Sequence, residues 1–285
     1  MQIINEPEQM QAIAEKLRLN RQLLAVVMTM GALHEGHLSL VKLARERAGT
    51  VILTIFVNPT QFGANEDLHR YPRPFEQDVA LAKSAGVDYL FAPEAGSIYP
   101  EHYQTTLQCG AIAEQFEGQQ RSGHFNGVAT IVTKLFNITK PHTAIFGEKD
   151  AQQLAIIRRL VADLNLDVSV VAAPIVRETN GLAVSSRNIY LSSHERIAAD
   201  VLYRGLCHAE QRLAEGELNL QKIVAEVAEM INSVPECRTD YVNFVEEESF
   251  ALAERADAGK EYRLLLAVFC GSVRLLDNMK MSATG

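Results

Sequence analysis

The stretch L-L-A-V-V-M-T-M-G-A-L-H-E-G-H (residues 23–37) decides the fold. Six apolar residues, Leu23–Met28, pass into a glycine-bearing loop, and helix-period spacing follows over 37–48. A continuous apolar run, rather than an alternating one, suits a strand buried on both faces, as in a parallel sheet. The same kind of run recurs at Val51–Val57, Tyr89–Ala92, Thr143–Phe146 and Val168–Ala173, with helix-period segments at 74–86, 126–139 and 151–163. Strand–helix alternation of this kind predicts a doubly wound α/β sheet. Right-handed crossovers then put the functional loops at the carboxyl ends of the strands, starting near residues 28, 57 and 147.

The pattern changes after residue 174. P-I-V-R-E-T-N-G-L-A-V-S-S-R-N-I-Y-L-S (174–192) leads to helix-like segments at 194–214 and 218–232, then strand-like runs at Tyr241–Val245 and Leu264–Phe269. This predicts a doubly wound domain over 1–174 and a smaller C-terminal α+β domain over 175–285. The 285-residue length agrees with about two domains at ~150 residues each. The acidic triplet Glu246–Glu248 reads as a solvated face.

Hydrophobic residues make up 47% and charged residues 22%, enough apolar material to exclude disorder as the main state. A net charge of −8 without a basic block argues against nucleic-acid binding. Small anions remain accessible to a few local cations and backbone N–H groups. Cys109, Cys207, Cys237 and Cys270 are far apart, with no zinc-type spacing, and read as reduced structural thiols. M-Q-I-I-N-E-P-E-Q-M lacks a cationic segment followed by an apolar one, so no signal peptide is expected. No apolar run approaches ~20 residues, so no membrane span is expected and the cytoplasm is the expected compartment.

In the first loop, Gly31 and Gly36 permit a tight turn, and the N–H groups opening a helix attract anions. His34 and His37, three apart, share one side of the first turn. They read either as a phosphate site or as surface histidines beside a cap; the H-E-x-x-H spacing of zinc enzymes is absent. In F-V-N-P-T-Q-F (56–62), Asn58 and Gln61 are neutral amides able to read a hydroxyl or carboxylate, or parts of a plain turn. Tyr71-Pro72-Arg73 reads as a lid or a helix entry. In F-G-E-K-D-A-Q-Q-L (146–154), Lys149 is set to neutralise phosphate charge, and Asp150 is either a helix cap with Gln153 or a site residue. S-S-R-N (185–188) reads as a phosphate clamp or as linker.

Together these segments resemble the pantothenate synthetase family, H-x-G-H nucleotidyltransferases related to class I aminoacyl-tRNA synthetases. T-M-G-A-L-H-E-G-H, F-V-N-P-T-Q-F, Y-P-R, H-F-N-G-V (124–128), F-G-E-K-D-x-Q-Q-L, L-A-V-S-S-R-N and R-L-L-D-N (274–278) carry the resemblance along the whole chain. Met28 departs from it, because the family usually has proline before T-M-G.

The resemblance implies a cytoplasmic, homodimeric ligase of the pantothenate and coenzyme A pathway. ATP and (R)-pantoate would give pantoyl adenylate and pyrophosphate, and β-alanine would then give pantothenate and AMP. It further implies that Met30, Gly31, His34, Gly36, His37, Gly147, Glu148, Lys149, Asp150, Val176, Val184, Ser185, Ser186 and Arg187 bind ATP. His37, His34, Lys149 and Arg187 would be catalytic, with His37 the proton donor. Gln61, Gln153, Asn58 and Met30 would hold pantoate. Mg²⁺ is expected with the nucleotide; its protein ligands are not indicated, and Asp78 is only a weak candidate beside the commoner helix-surface carboxylate. Two rivals are an H-x-G-H enzyme that moves AMP onto a phosphate and a non-catalytic nucleotide sensor. The amides Gln61 and Gln153 count against the first, because a phosphate acceptor calls for extra cations. Lys149 and Arg187 count against the second, because a sensor has no pyrophosphate to clamp.

Overall fold

The computed structural model describes residues 1–63, 68 and 70–283. Residues 1–148 with 152–174 form one compact unit, and residues 149–151 with 175–285 form another. The turn that carries Lys149 thus groups with the later residues, although the sequence places it inside the first segment.

In the first unit the elements run β1 (Gln2–Ile4), α1 (Pro7–Leu19), β2 (Leu24–Thr29), α2 (Glu35–Arg47), β3 (Thr50–Ile55), α3 (Phe75–Ser84) and β4 (Tyr89–Phe91). They continue through α4 (Ala95–Ile98), α5 (Glu117–Gln120), α6 (His124–Thr139), β5 (Thr143–Gly147), α7 (Ala151–Asp163) and β6 (Ser169–Ala173). The sheet order is β1-β4-β3-β2-β5-β6 with every neighbouring pair parallel, so the expected doubly wound sheet is what forms. Chain direction across the sheet reverses between β2 and β5. In open α/β sheets that crevice at the strands' carboxyl ends is where ligands bind.

The continuous apolar runs have a direct cause. Leu24 and Val26 of β2 pack on the face covered by α1, α6 and α7, while Ala25 and Val27 pack on the face covered by α2 and α3. Both parities are buried, so alternation disappears. Each Val or Leu withdrawn from water in this way contributes ~1.5–3 kcal/mol. Sequence reasoning missed β1, which at three residues is too short to register as a run, and α1, which opens on Pro7 and buries only Met10 and Ala14.

The second unit contains α8 (Ser193–Ala198), α9 (Asp200–Ala214) and α10 (Leu220–Asn232), then β7 (Cys237–Glu246), β8 (Glu261–Cys270) and β9 (Val273–Ser282). The three strands form an antiparallel sheet in the order β7-β8-β9. Leu202, Leu206, Ala209 and Leu213 of α9 and Ile223, Val227 and Ile231 of α10 pack on one face of it with Phe244, Leu264, Leu266 and Val268. The single helix expected over 194–214 is broken at Ala199, whose ψ of −10° departs from helical values. β9 escaped a strand reading because Asp277 and Asn278 stand side by side and interrupt the two-residue alternation.

Candidate active site

The loop after β2 is built before any ligand arrives. Thr29 Oγ1 donates to Thr54 O (2.8 Å) and accepts from Gly31 N (3.2 Å), which turns the strand end. Gly31 and Ala32 both have positive φ, +85° and +50°, a costly arrangement for alanine that needs support. Asp78 of α3 supplies it, because its carboxylate accepts from Ala32 N (2.9 Å) and Leu33 N (2.7 Å). Asp78 is 1% exposed, which corrects its reading as a helix-surface carboxylate. A Cβ on Gly31 would come within 2.9 Å of Asp78 Oδ2, so glycine is required on two counts.

The two histidines cap α2 reciprocally. His34 Nδ1 accepts from Gly36 N (3.1 Å), and His37 Nδ1 accepts from His34 N (3.3 Å). Their ring centroids lie 4.0 Å apart. Capping does not preclude anion binding, because it uses only one nitrogen of each ring. Nδ1 accepts the backbone N–H, so the neutral ring carries its proton on Nε2, a donor suited to a phosphate oxygen. Gly36 makes room for this, since a Cβ there would stand 2.9 Å from His34 Cε1.

The loop after β3 holds Gln61 on a one-turn helix, Pro59–Gln61. Gln61 Oε1 accepts from Asn58 Nδ2 (3.1 Å), and Gln61 Nε2 lies 3.0 Å from Met30 Sδ. Thioether sulfur is a weak acceptor, so a substrate oxygen would readily take over that N–H. Asn58 is 1% exposed and engaged with Gly127 O, Thr60 and the Tyr99 hydroxyl, so its side chain supports the turn that carries Gln61. Gly127 of H-F-N-G-V lets this turn rest on α6, because a Cβ would stand 2.3 Å from Thr60 O. Two residues that sequence reasoning left unassigned complete the support: His124 Nδ1 donates to Gln61 O (2.7 Å), and Arg121 Nη2 donates to the same oxygen (3.3 Å). Arg121 Nη1 lies 3.1 Å from His124 Nε2, so the guanidinium donates there and the imidazole keeps its proton on Nδ1.

In the loop after β5, Gly147 closes the strand and Glu148–Asp150 forms one helical turn before α7. Gln153 is half-buried, while its neighbour Gln152 is 6% exposed and bonded to Glu117 N, Ile112 O and Gln115 O. Tyr71-Pro72-Arg73 leads directly into α3, matching the helix-entry alternative.

Within the second unit, Lys149, Ser185, Arg187, Asn188, Arg274 and Asp277 line one pocket. Val184 N donates to Val176 O (2.9 Å), which pairs the two chains leading into it. Ser185 Oγ accepts from Arg187 N (3.3 Å) and caps the turn Ser186–Tyr190, so S-S-R-N is a structured turn. Lys149 Nζ lies 3.7 Å from Asp150 Oδ1. Glu247, expected on a solvated face, instead pairs with Arg263 at 2.7 Å, a correction that alternation alone could not supply. The four cysteines are free thiols, and among the described residues no group of His, Cys, Asp and Glu could hold a metal ion. No helix among the described residues is long and apolar enough to cross a membrane.

The sheet order, with a capped helix start at the switch point, defines a Rossmann-like α/β protein. The chain belongs to the pantoate-beta-alanine ligase family, whose model matches residues 2–280. It is an enzyme, a ligase. It is 74% identical to the pantothenate synthetase of Pelodictyon phaeoclathratiforme over 99% of this chain and 100% of that protein. It is 60% identical to the pantothenate synthetase of Chlorobaculum tepidum over 98% of this chain and 99% of that protein. The crystal structure of pantothenate synthetase from Thermus thermophilus superposes with a TM-score of 0.91 at 42% identity, with both chains fully covered. The pantoate-beta-alanine ligase of Francisella tularensis, complexed with beta-gamma ATP and beta-alanine, matches with a TM-score of 0.80 at 35% identity, covering 100% of this chain and 99% of that one.

Proposed function

We propose that the chain condenses (R)-pantoate with β-alanine in two steps. A pantoate carboxylate oxygen attacks the α-phosphorus of ATP, the bond to the bridging oxygen breaks, and pyrophosphate leaves with the electron pair. The β-alanine amine then attacks the acyl carbon of pantoyl adenylate, AMP leaves, and the amine gives up a proton to yield pantothenate. The first step needs alignment and neutralised phosphate charge more than it needs a base.

His34 and His37 direct Nε2–H hydrogen-bond donors at the phosphates, where charge builds up on the leaving group, and Gly31, Gly36, Gly147 and Glu148 shape the nucleotide's path. Lys149, Ser185, Ser186 and Arg187 take the β- and γ-phosphates, Asp150 sets the Lys149 turn, and Val176 and Val184 contact the nucleotide through their backbone. Gln61 and Gln153 hold pantoate beside Met30. Asn58 acts at one remove, by fixing Gln61. The nucleotide enters as its magnesium complex, so the ion is part of the substrate. The working state is a cytoplasmic homodimer, an expectation carried by the family.

The observation that carries the reading is the convergence of Lys149, Ser185 and Arg187 on one pocket. Two cations and a hydroxyl match a departing pyrophosphate, which a sensor need not clamp. The test is exchange of labelled pyrophosphate into ATP. Exchange is expected with pantoate present and β-alanine absent; a requirement for β-alanine would replace the adenylate route with a concerted one.

A further inference from the structure

The closing motif R-L-L-D-N plays no part in the reaction as derived so far, yet its last two residues end in a buried polar network. Glu247 receives Arg263 Nε (2.7 Å) and Nη2 (2.9 Å), and Arg263 Nη1 donates to Asn278 Oδ1 (2.6 Å). The amide oxygen faces a guanidinium, so Nδ2 must face the other way. There it donates to the backbone carbonyl of Lys149 (2.9 Å). Asn278 is gripped through its backbone as well: its N–H donates to Asp277 Oδ1 (2.7 Å), and its carbonyl accepts from Arg177 Nη2 (3.3 Å). Arg177 in turn holds the Asp277 carboxylate with both terminal nitrogens, at 2.7 and 2.9 Å. Arg263, Asp277 and Asn278 are each no more than 3% exposed.

Buried ion pairs are poor sources of stability, since apolar side chains of similar volume often serve as well; the paired donors of Arg177 and Arg263 do set the direction of each acceptor. Outside itself this network holds the carbonyl of Gly181, through Arg177 Nη1 (2.9 Å), and the carbonyl of a lysine that sits on a single helical turn. We propose that Asn278, held by Arg263 and Asp277, is a positioning residue that sets where the Lys149 ammonium stands during adenylate formation. The proposal rests on the pyrophosphate role assigned to Lys149 above.

Asn278→Asp removes the donor to the Lys149 carbonyl, while a carboxylate still accepts from Arg263. In single-turnover experiments, adenylate formation should slow by roughly ten- to a hundredfold, the effect of one lost buried hydrogen bond. Consumption of supplied pantoyl adenylate by β-alanine should change by less than about twofold, since pyrophosphate is absent from that step. In a Lys149→Ala background Asn278→Asp should slow adenylate formation no further, as expected for residues acting as one unit. Arg263→Lys, which keeps the charge but loses the planar fork, should give a smaller slowing of the same step alone and covers the case in which Asn278→Asp does not fold. Equal slowing of both steps, or additivity with Lys149→Ala, would overturn the positioning role while leaving that of Lys149 intact. Unchanged adenylate formation in Lys149→Ala would remove the pyrophosphate role, and this proposal with it.

Discussion

At the residue scale, the site owes its geometry to bonds that side chains make with backbone. Gln61 is the clearest case. Asn58 orients its amide, and His124 with Arg121 hold its carbonyl. Gln61→Ala and Gln153→Ala should each raise the KM for pantoate by roughly ten- to a hundredfold and leave the KM for ATP nearly unchanged, as for lost hydrogen bonds of ~1–3 kcal/mol to a polar substrate. Steady-state titration of each substrate is the check, and a matching loss for ATP would move these amides to the nucleotide. His124 offers a finer comparison. Asparagine can reproduce the Nδ1 donor, so His124→Asn should keep pantoate affinity within a few-fold while His124→Ala loses about tenfold. Equal behaviour of the two variants would show that the ring's bulk, and not its donor, supports the turn.

At the element scale, the decisive contact is between α3 and the loop after β2. Asp78 accepts the N–H groups of Ala32 and Leu33 and so stabilises a loop with two successive residues of positive φ, Gly31 and Ala32. Asp78→Ala would leave two N–H groups without their acceptor, at ~1–3 kcal/mol each. A lower melting temperature and weaker ATP use are expected together, because the same loop carries His34 and His37. An unchanged KM for ATP in a destabilised Asp78→Ala would separate the loop's stability from its role. A second expectation concerns α8, whose Ser192 N–H and hydroxyl hold the Glu195 carboxyl below the usual carboxylate range. A lowered folded-state value means that the cap's contribution is complete above the unfolded value and is lost as pH falls through the folded one. Glu195→Gln should therefore show less acid-dependent loss of stability than the parent chain in melts at descending pH.

At the scale of the whole molecule, each compact unit has its own core. That of the second unit runs from Leu182 through α9 and α10 to all three antiparallel strands. The fragment 175–285 should therefore unfold cooperatively by itself in urea, followed by circular dichroism. A gradual, non-cooperative loss of signal would mean that this core depends on the rest of the chain. Lys149–Ala151 belongs to this unit by contact though not by sequence, so the fragment lacks the carbonyl that Asn278 meets.

The sequence alone determined the doubly wound sheet, because strands buried on both faces must be apolar at every position, and Leu24–Val27 are. It also singled out the loops after β2, β3 and β5, because glycines and polar residues stand there at the ends of apolar strands. What it could not settle was which polar residues face a substrate and which face the protein. Asn58 reads from the sequence as a substrate amide or a turn residue and Asp78 mainly as a helix-surface carboxylate, yet both are buried and hydrogen-bonded to neighbouring backbone. Glu247 looks solvated and anchors a buried arginine. Asn278 stands 129 residues from the lysine whose carbonyl it meets. A hydrogen bond depends on distance in space and leaves no periodicity along the chain, so only the tertiary structure could assign these partners.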